Sequence, residues 1–447
     1  MNSLPFNGFL SLMVGAGDGA ARSYQIGVIS SVPFPSANDE ETGRLETLSF
    51  HAFSLKRQLD TSSETSHVFH LPALQQVNGD TLAERIEAWR TRVAEAELKL
   101  AEHEREIDDI SFRLYGIGDE DRFALEASVT RQRSRDADDE QAETDEEPED
   151  DSTSADQRQL TADFISYAVG CVFGHWDARF ATGDRPAAQL PDPFAPLPVC
   201  APGALTGEDG LPLSEAPDGY PLRLDSDGVL VDDLTHADDL IARVREVFEL
   251  VWPKAAEARE REACELLGVK ELRDYFRKPA AGGFWTDHVK RYSKSRRKAP
   301  IYWLLRSSKG NYAIWLYYHR LDKDLLYKAL LNYVEPKLRL EENNLAQLRQ
   351  RREAVGTTGR EAKQLEKELD KQESFISELH DFRDKLKRAA DLHLEPDLND
   401  GVVLSIASLW ELVPWSEAKK YWNELLEGKY EWSSIGKQLR ERGLVKQ

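Results

Sequence analysis

Residues Asp80–Leu114, DTLAERIEAWRTRVAEAELKLAEHEREIDDISFRL, decide the fold class of this chain. Leu82, Ile86, Trp89, Val93 and Ala96 recur every three or four residues among many Glu and Arg. That is the period of a helix with one packed stripe and one wet face. Glu106–Ile117 closes the element, with Gly116 and Gly118 as stop signals. A second periodic region runs from about Leu338 to Ala390, where Leu365, Leu369, Ile376, Leu379 and Leu386 form one seam between charged faces. The glycines flanking Thr357-Thr358 divide it into two arms. A strict heptad does not hold, so an antiparallel hairpin or helical spacer is expected rather than a long dimeric coiled coil.

Around these helices the pattern is mixed. Tyr24–Ile29 (YQIGVI) reads as a short strand that Val32-Pro33-Phe34-Pro35 ends. Gly15, Gly17 and Gly19 read as a turn, since the Walker lysine and the strand-loop-helix spacing of a phosphate loop are missing. Phe164–Phe173 and Ala255–Phe276 look helical, and residues 181–225, rich in Pro, Gly and Asp, irregular. Tyr312–Tyr318 resembles a strand buried on both sides. Trp410, Trp415, Trp422 and Trp432 predict a packed C-terminal cap.

The expected fold class is α+β, predominantly helical, with a mixed recognition domain and long helical spacer or hairpin elements. Its expected parts are a mixed segment over 1–79, a helical spacer over 80–129 and an acidic disordered linker over 130–158. A mixed α/β recognition region over 159–337, a helical hairpin or spacer over 338–392 and a cap over 393–447 follow.

The 447 residues carry a net charge of −22 and 40% hydrophobic content. No apolar run approaches the roughly 20 residues that cross a bilayer. The start, MNSLPFNGFLSLMVG, shows no basic n-region. Cys171, Cys200 and Cys264 lie too far apart to read as a disulfide framework. A cytoplasmic protein with no membrane association is expected. Eleven acids and no Lys or Arg fall within Asp136–Asp151, half of the net charge. The acidity of the chain therefore says little about a folded surface elsewhere.

Against that background, Lys290–Lys298 (KRYSKSRRK) holds six cations, directly before the aromatic run Pro300-Ile301-Tyr302-Trp303. Tyr312, Trp315, Tyr317, Tyr318 and His319 follow. Basic side chains beside planar ones suit a phosphate backbone and exposed bases. Lys290, Arg291, Lys294, Arg296, Arg297 and Lys298 are therefore the candidate DNA-binding residues, positioning a duplex without reading its sequence. A charged edge making only local ion pairs is the competing explanation. Trp303 and Tyr312, inside an apolar run, are expected in the core rather than on DNA.

Other chemistry is weakly signalled. Cys171-x3-His175 offers two ligands of a metal site without a spaced second pair, and His51, His67 and His70 form a loose group. Asp225-Ser226-Asp227-Gly228 lacks a calcium loop's final acid, because position twelve is His236. No catalytic, cofactor-binding or metal residue is assigned.

Several phrases together point further. They are Ser23–Ile29 with Val32–Pro35, Leu114–Ile117, Ser166–Gly170 with Gly174–Asp177, Lys294–Trp303, Leu316–Arg320, Asn399–Val402 and Leu412–Trp415. In this order they resemble the carboxy-terminal spacer and target-recognition part of the adenine-specific DNA methyltransferases of BREX and DISARM phage-defence systems. Those enzymes are similar to type IIG restriction-modification enzymes. The resemblance covers most of the chain except the acidic linker and implies helical spacer and target-recognition regions that contact duplex DNA.

The same resemblance implies S-adenosylmethionine and an Asn/Asp-Pro-Pro-Tyr/Phe motif for methylating adenine N6, commonly on a flipped base. That tetrapeptide is absent from the sequence, as is a convincing cofactor-binding unit. The expected function is thus a non-catalytic DNA-recognition component of a split methyltransferase. Its expected partners are duplex DNA, a separate catalytic subunit holding S-adenosylmethionine, and other defence-system proteins. A structural or inhibitory protein-interaction role is the alternative, and a metal-dependent nuclease a further one.

Overall fold

The computed structural model describes residues 3–14, 26–127, 152–187, 189–224, 227–278, 281–294, 297–355 and 359–445. The Gly15–Gly19 turn, most of the acidic linker, and Asp225-Ser226 lie outside the described residues. The chain divides into two bodies. One is drawn from Met1–Ser63 and Gln76–Asp156, the other from Glu64–Gln75 and Gln157–Gln447.

The first body is helical: α1 (Leu4–Val14), α2 (Ile26–Ser31), α3 (Asp39–Asp60), α4 (Leu82–Tyr115) and α5 over residues 119–127. Helix α4 starts at a capping box. Thr81 accepts from the Glu84 N–H (3.1 Å), and the Glu84 carboxylate accepts from the Thr81 N–H (3.3 Å). It ends at Gly116, whose φ of 65° is left-handed and suits glycine. Of the expected stripe, Leu82, Ile86, Trp89 and Ala96 are buried on α4 and Val93 is half-buried, and Leu100 continues the buried face. Helix α3 runs antiparallel to it, with Arg44 Nε 2.6 Å from Glu106.

Of the strand expected over Tyr24–Ile29, Tyr24 and Gln25 lie outside the described residues, and Ile26–Ser31 is helical instead. Periodicity cannot assign so short an apolar run. Packing decides, because one helical turn brings Ile29 and Val32 together against Phe6 and Leu10.

Helix α6 (Ser152–Val172) begins well before Phe164, and from Gln157 on it belongs to the second body, where α7 (Arg179–Thr182) and β1 (Val229–Val231) follow. Next come α8 (Leu240–Val251), α9 (Ala256–Leu266), α10 (Leu272–Arg277) and α11 (Phe284–Arg291). The single helix expected over Ala255–Phe276 is two, divided after Leu267 by Gly268 at φ 69°.

Two short strands, β2 (Ser293–Lys294) and β3 (Arg297–Lys298), form a hairpin. Strands β4 (Tyr302–Arg306) and β5 (Ala313–Tyr317) form a second, and β1 adds antiparallel to β5, giving the order β1-β5-β4. β5 is buried along its whole length, matching its unbroken apolar run.

Beyond the sheet lie α12 (Leu325–Lys328), a π-helical turn (Ala329–Val334), α13 (Glu335–Val355) and α14 (Arg360–Asp391). α13 and α14 are the expected antiparallel hairpin, joined where Gln372 donates to Glu341 (2.7 Å). Glu378 of α14 fastens this hairpin to the sheet. Its carboxylate accepts from Ser307 Oγ (2.5 Å), the Lys309 N–H (2.9 Å) and Asn311 Nδ2 (2.7 Å) in the β4–β5 turn. Burial alone would raise the Glu378 pKa, but those donors hold it below the usual range. Finally α15 (Val402–Ile406), α16 (Ser416–Leu426) and α17 (Ser434–Glu441) pack around Leu404, Ala407, Leu425, Ile435 and Leu439. Trp432 does not join that core and stays 63% exposed.

Candidate nucleic-acid interface

The basic stretch begins on the last turn of α11, whose Phe284, Trp285 and His288 face the core. The chain then reverses through β2 and β3, and the register sets Lys294 opposite Arg297 and Ser293 opposite Lys298. Like charges directly opposite one another in a ladder are unfavourable. Ser295 and Arg296 lie outside the described residues, as do the side chains of Lys294 and Arg297.

The hairpin stands on a buried polar footing. Arg291 points inward, its side chain only 8% exposed, and donates to Asp163 through Nε (3.0 Å) and Nη2 (2.7 Å). Glu64 lies 3.7 Å from Arg291 and accepts from Tyr292 Oη and Trp176 Nε1, each at 3.0 Å. Burial would lower the Arg291 pKa, but the Asp163 and Glu64 carboxylates hold it above its ordinary value. The Ala299 N–H donates to Tyr292 O (3.0 Å), closing the loop.

His288 secures the exit. Its Nε2 accepts from the N–H groups of Ile301 and Tyr302, both at 3.0 Å. Accepting there demands a lone pair, so the ring is neutral with its proton on Nδ1. Burial, helped by Arg291 and His175, pushes the His288 pKa well down.

The six candidate residues therefore separate. Lys290 is exposed at the end of α11, and Lys294 and Arg297 face each other in register. Arg291 is an internal tie rather than a surface cation. Lys298 pairs with Glu417 of α16. That bridge brings up two cations the sequence reading missed, Lys419 and Lys420, both exposed beside Glu417. Their ammonium groups lie over the rings of Trp410 (4.9 Å) and Tyr421 (5.7 Å). No local sequence signal joins positions 298 and 417.

His319 is exposed, but the other aromatic side chains of the run offer no stacking platform for bases. Tyr302, Trp303, Tyr312, Trp315, Tyr317 and Tyr318 are all buried. They fill the sheet, with Tyr302 stacked on Phe173 at 5.1 Å. Close packing there requires Gly170, since a Cβ would stand 2.1 Å from the Trp176 ring and 2.9 Å from Tyr302 Oη.

His175 Nδ1 lies 2.7 Å from Tyr317 Oη, and its ring stacks near that of exposed His319 (6.0 Å). Burial, then His319, lowers the His175 pKa to about 3. Cys171 is buried and its thiol pushed up, away from the thiolate a metal would need. Among the described residues no group of His, Cys, Asp and Glu is arranged to hold a metal ion.

The neutral histidines predict acid sensitivity. The unfolded chain binds protons at these imidazoles near pH 6.5, whereas the folded one refuses them until far lower pH. Stability is thus fully present above pH 6.5 and falls as pH drops below it. Stability at pH 5.5 should therefore be lower than at pH 7.5, by on the order of 1 kcal/mol for His175 and in the same direction for His288. Urea unfolding at pH 7.5 and pH 5.5 measures it, and equal stabilities would contradict the assignment.

The three-stranded sheet of the described residues is antiparallel throughout, unlike the parallel sheets at whose strand ends nucleotide-like cofactors sit. No helix of the described residues is long and apolar enough to cross a membrane.

No protein-family model matches the chain. It is similar to the adenine-specific methyltransferase BrxX of Escherichia coli O9:H4 (strain HS), 29% identical over 269 residues, 56% of this chain and 20% of that protein. It is also similar to the adenine-specific methyltransferase PglX of Lacticaseibacillus casei (strain Zhang), 24% identical over 425 residues. That match covers 91% of this chain and 30% of the relative. The chain spans less than a third of the length of either curated relative.

Proposed function

We propose that these residues bind duplex DNA and present it for adenine-N6 methylation in a phage-defence or restriction-modification system. A separate catalytic subunit, lying outside the sequence described, holds S-adenosylmethionine and performs the transfer. The observation that carries this reading is the β2–β3 hairpin. It sets Lys294 and Arg297 opposite each other on a footing of buried Arg291 and Glu64 with half-buried Asp163, in a chain similar to two adenine-specific methyltransferases. Lys290, Lys294, Arg296 and Arg297 contact phosphates, and Lys419 and Lys420 extend the same cationic surface.

The test is binding of the purified chain to duplex DNA across a salt series, with and without the methyltransferase subunit. Affinity should fall steeply with salt. The chain alone should neither bind S-adenosylmethionine nor methylate DNA. Methylation by the chain alone would overturn this division of labour, and absence of DNA binding under both conditions would remove the recognition role.

A structural or inhibitory protein-interaction role draws on a different segment. Phe194, Leu197 and Val199 are 93%, 71% and 78% exposed, in a stretch with no Lys or Arg between Arg185 and Arg223. Such a loop suits an apolar protein groove better than a phosphate backbone. Stable capture of a purified defence subunit without DNA affinity would favour it.

A further inference from the structure

The charges on the α13–α14 hairpin change sign along its length. Residues 349–363, around the turn, carry five cations and two carboxylates, Glu353 and Glu361. The adjoining stretches, 340–348 on α13 and 364–372 on α14, carry five carboxylates and two lysines. A cationic end therefore sits on an acidic shaft, in a protein whose net charge is −22. The arm runs roughly 20 Å beyond the Glu341–Gln372 contact, at 1.5 Å per helical residue.

Two of the five cations have local employment. Arg349 turns back along the shaft to Glu373 (2.8 Å), and Arg352, in the last turn of α13, complements that helix's negative end. Arg351, Arg360 and Lys363 are exposed and form no ion pair with any described residue. Arg360 and Lys363 are also placed against helix electrostatics. They occupy the first turn of α14, where the macrodipole favours acids and disfavours cations. Helix stability does not explain them, and the hairpin seam does not use them.

We infer that the end of the α13–α14 hairpin is a second contact for the phosphate backbone of duplex DNA, made by Arg351, Arg360 and Lys363. The inference rests on the DNA-recognition reading above and adds to it a site remote in sequence from Lys290–Lys298. The acidic shaft confines the contact to the hairpin's end, because phosphate sliding along the arm meets like charge. The contact is sequence-independent, since it touches backbone alone.

The decisive variant is Arg360→Glu with Lys363→Glu in the full chain. Acids in the first turn favour α14, so thermal melting should be unchanged or slightly raised and weakened binding cannot be ascribed to unfolding. Binding to a 40-base-pair duplex, read as log affinity against log salt, should drop by about 0.9 of slope per phosphate no longer neutralised, nearly two units in all. A parallel series with Arg296→Glu and Arg297→Glu separates the readings. A shallower slope in both variants supports two phosphate-binding places. A shallower slope only in the Arg296/Arg297 variant overturns the hairpin contact while leaving the recognition role intact. A wild-type chain without salt-dependent DNA binding, with or without its methyltransferase subunit, overturns both.

Discussion

Changing Arg296 and Arg297 together to glutamate should weaken duplex binding by about two orders of magnitude near physiological salt while leaving the unfolding transition in place. Two phosphates that were neutralised now face like charge, and the log-log salt slope falls by about 0.9 for each of them. The loss should be similar for duplexes of unrelated sequence, because phosphate contacts position a protein without choosing bases. Folding should survive because the footing of the hairpin is elsewhere. Arg291 is held by Asp163, Tyr292 by Glu64, and the start of β4 by His288. Unchanged affinity across the salt series would remove the hairpin from the interface. A loss confined to one DNA sequence would assign it to base reading instead.

Much of the architecture was legible because long elements repeat their pattern many times. Helix α4 and the α13–α14 hairpin each show a sustained apolar stripe, and the Gly116 end of α4 was readable too. The buried strand β5 could be recognised from five consecutive apolar and aromatic residues. Short pieces failed for the converse reason. Ile26–Ser31 has too few turns to reveal a period, and Val229–Val231 becomes a strand only because β5 offers it an edge. The site was half legible. Clustering exposed the six cations, but composition cannot show which way each side chain turns. Arg291 sits one residue from exposed Lys290, yet at the end of α11 that step of about 100° carries it to the side facing Asp163 and Glu64. Lys419 and Lys420 were invisible for another reason, since only the Lys298–Glu417 bridge makes them neighbours of the hairpin.

That inward turn gives Arg291 a different mutational signature. Arg291→Ala should cost about 3 kcal/mol of folding stability, the low end for breaking a buried pair. The carboxylates left behind explain both the cost and its limit. Glu64 is 4% exposed and would be stranded, keeping only its bonds from Tyr292 and Trp176, whereas Asp163, at 28%, retains some water. Adding Glu64→Gln should restore part of the stability, since the amide removes the stranded charge and its oxygen can still accept from Tyr292 or Trp176. Urea unfolding of the two variants beside wild type measures both effects. At low temperature, where the single variant remains folded, its salt slope for duplex DNA should match wild type, because this guanidinium touches no phosphate. A normal unfolding curve with a reduced salt slope would be the opposite result. It would return Arg291 to the DNA-facing set and place its side chain on the surface.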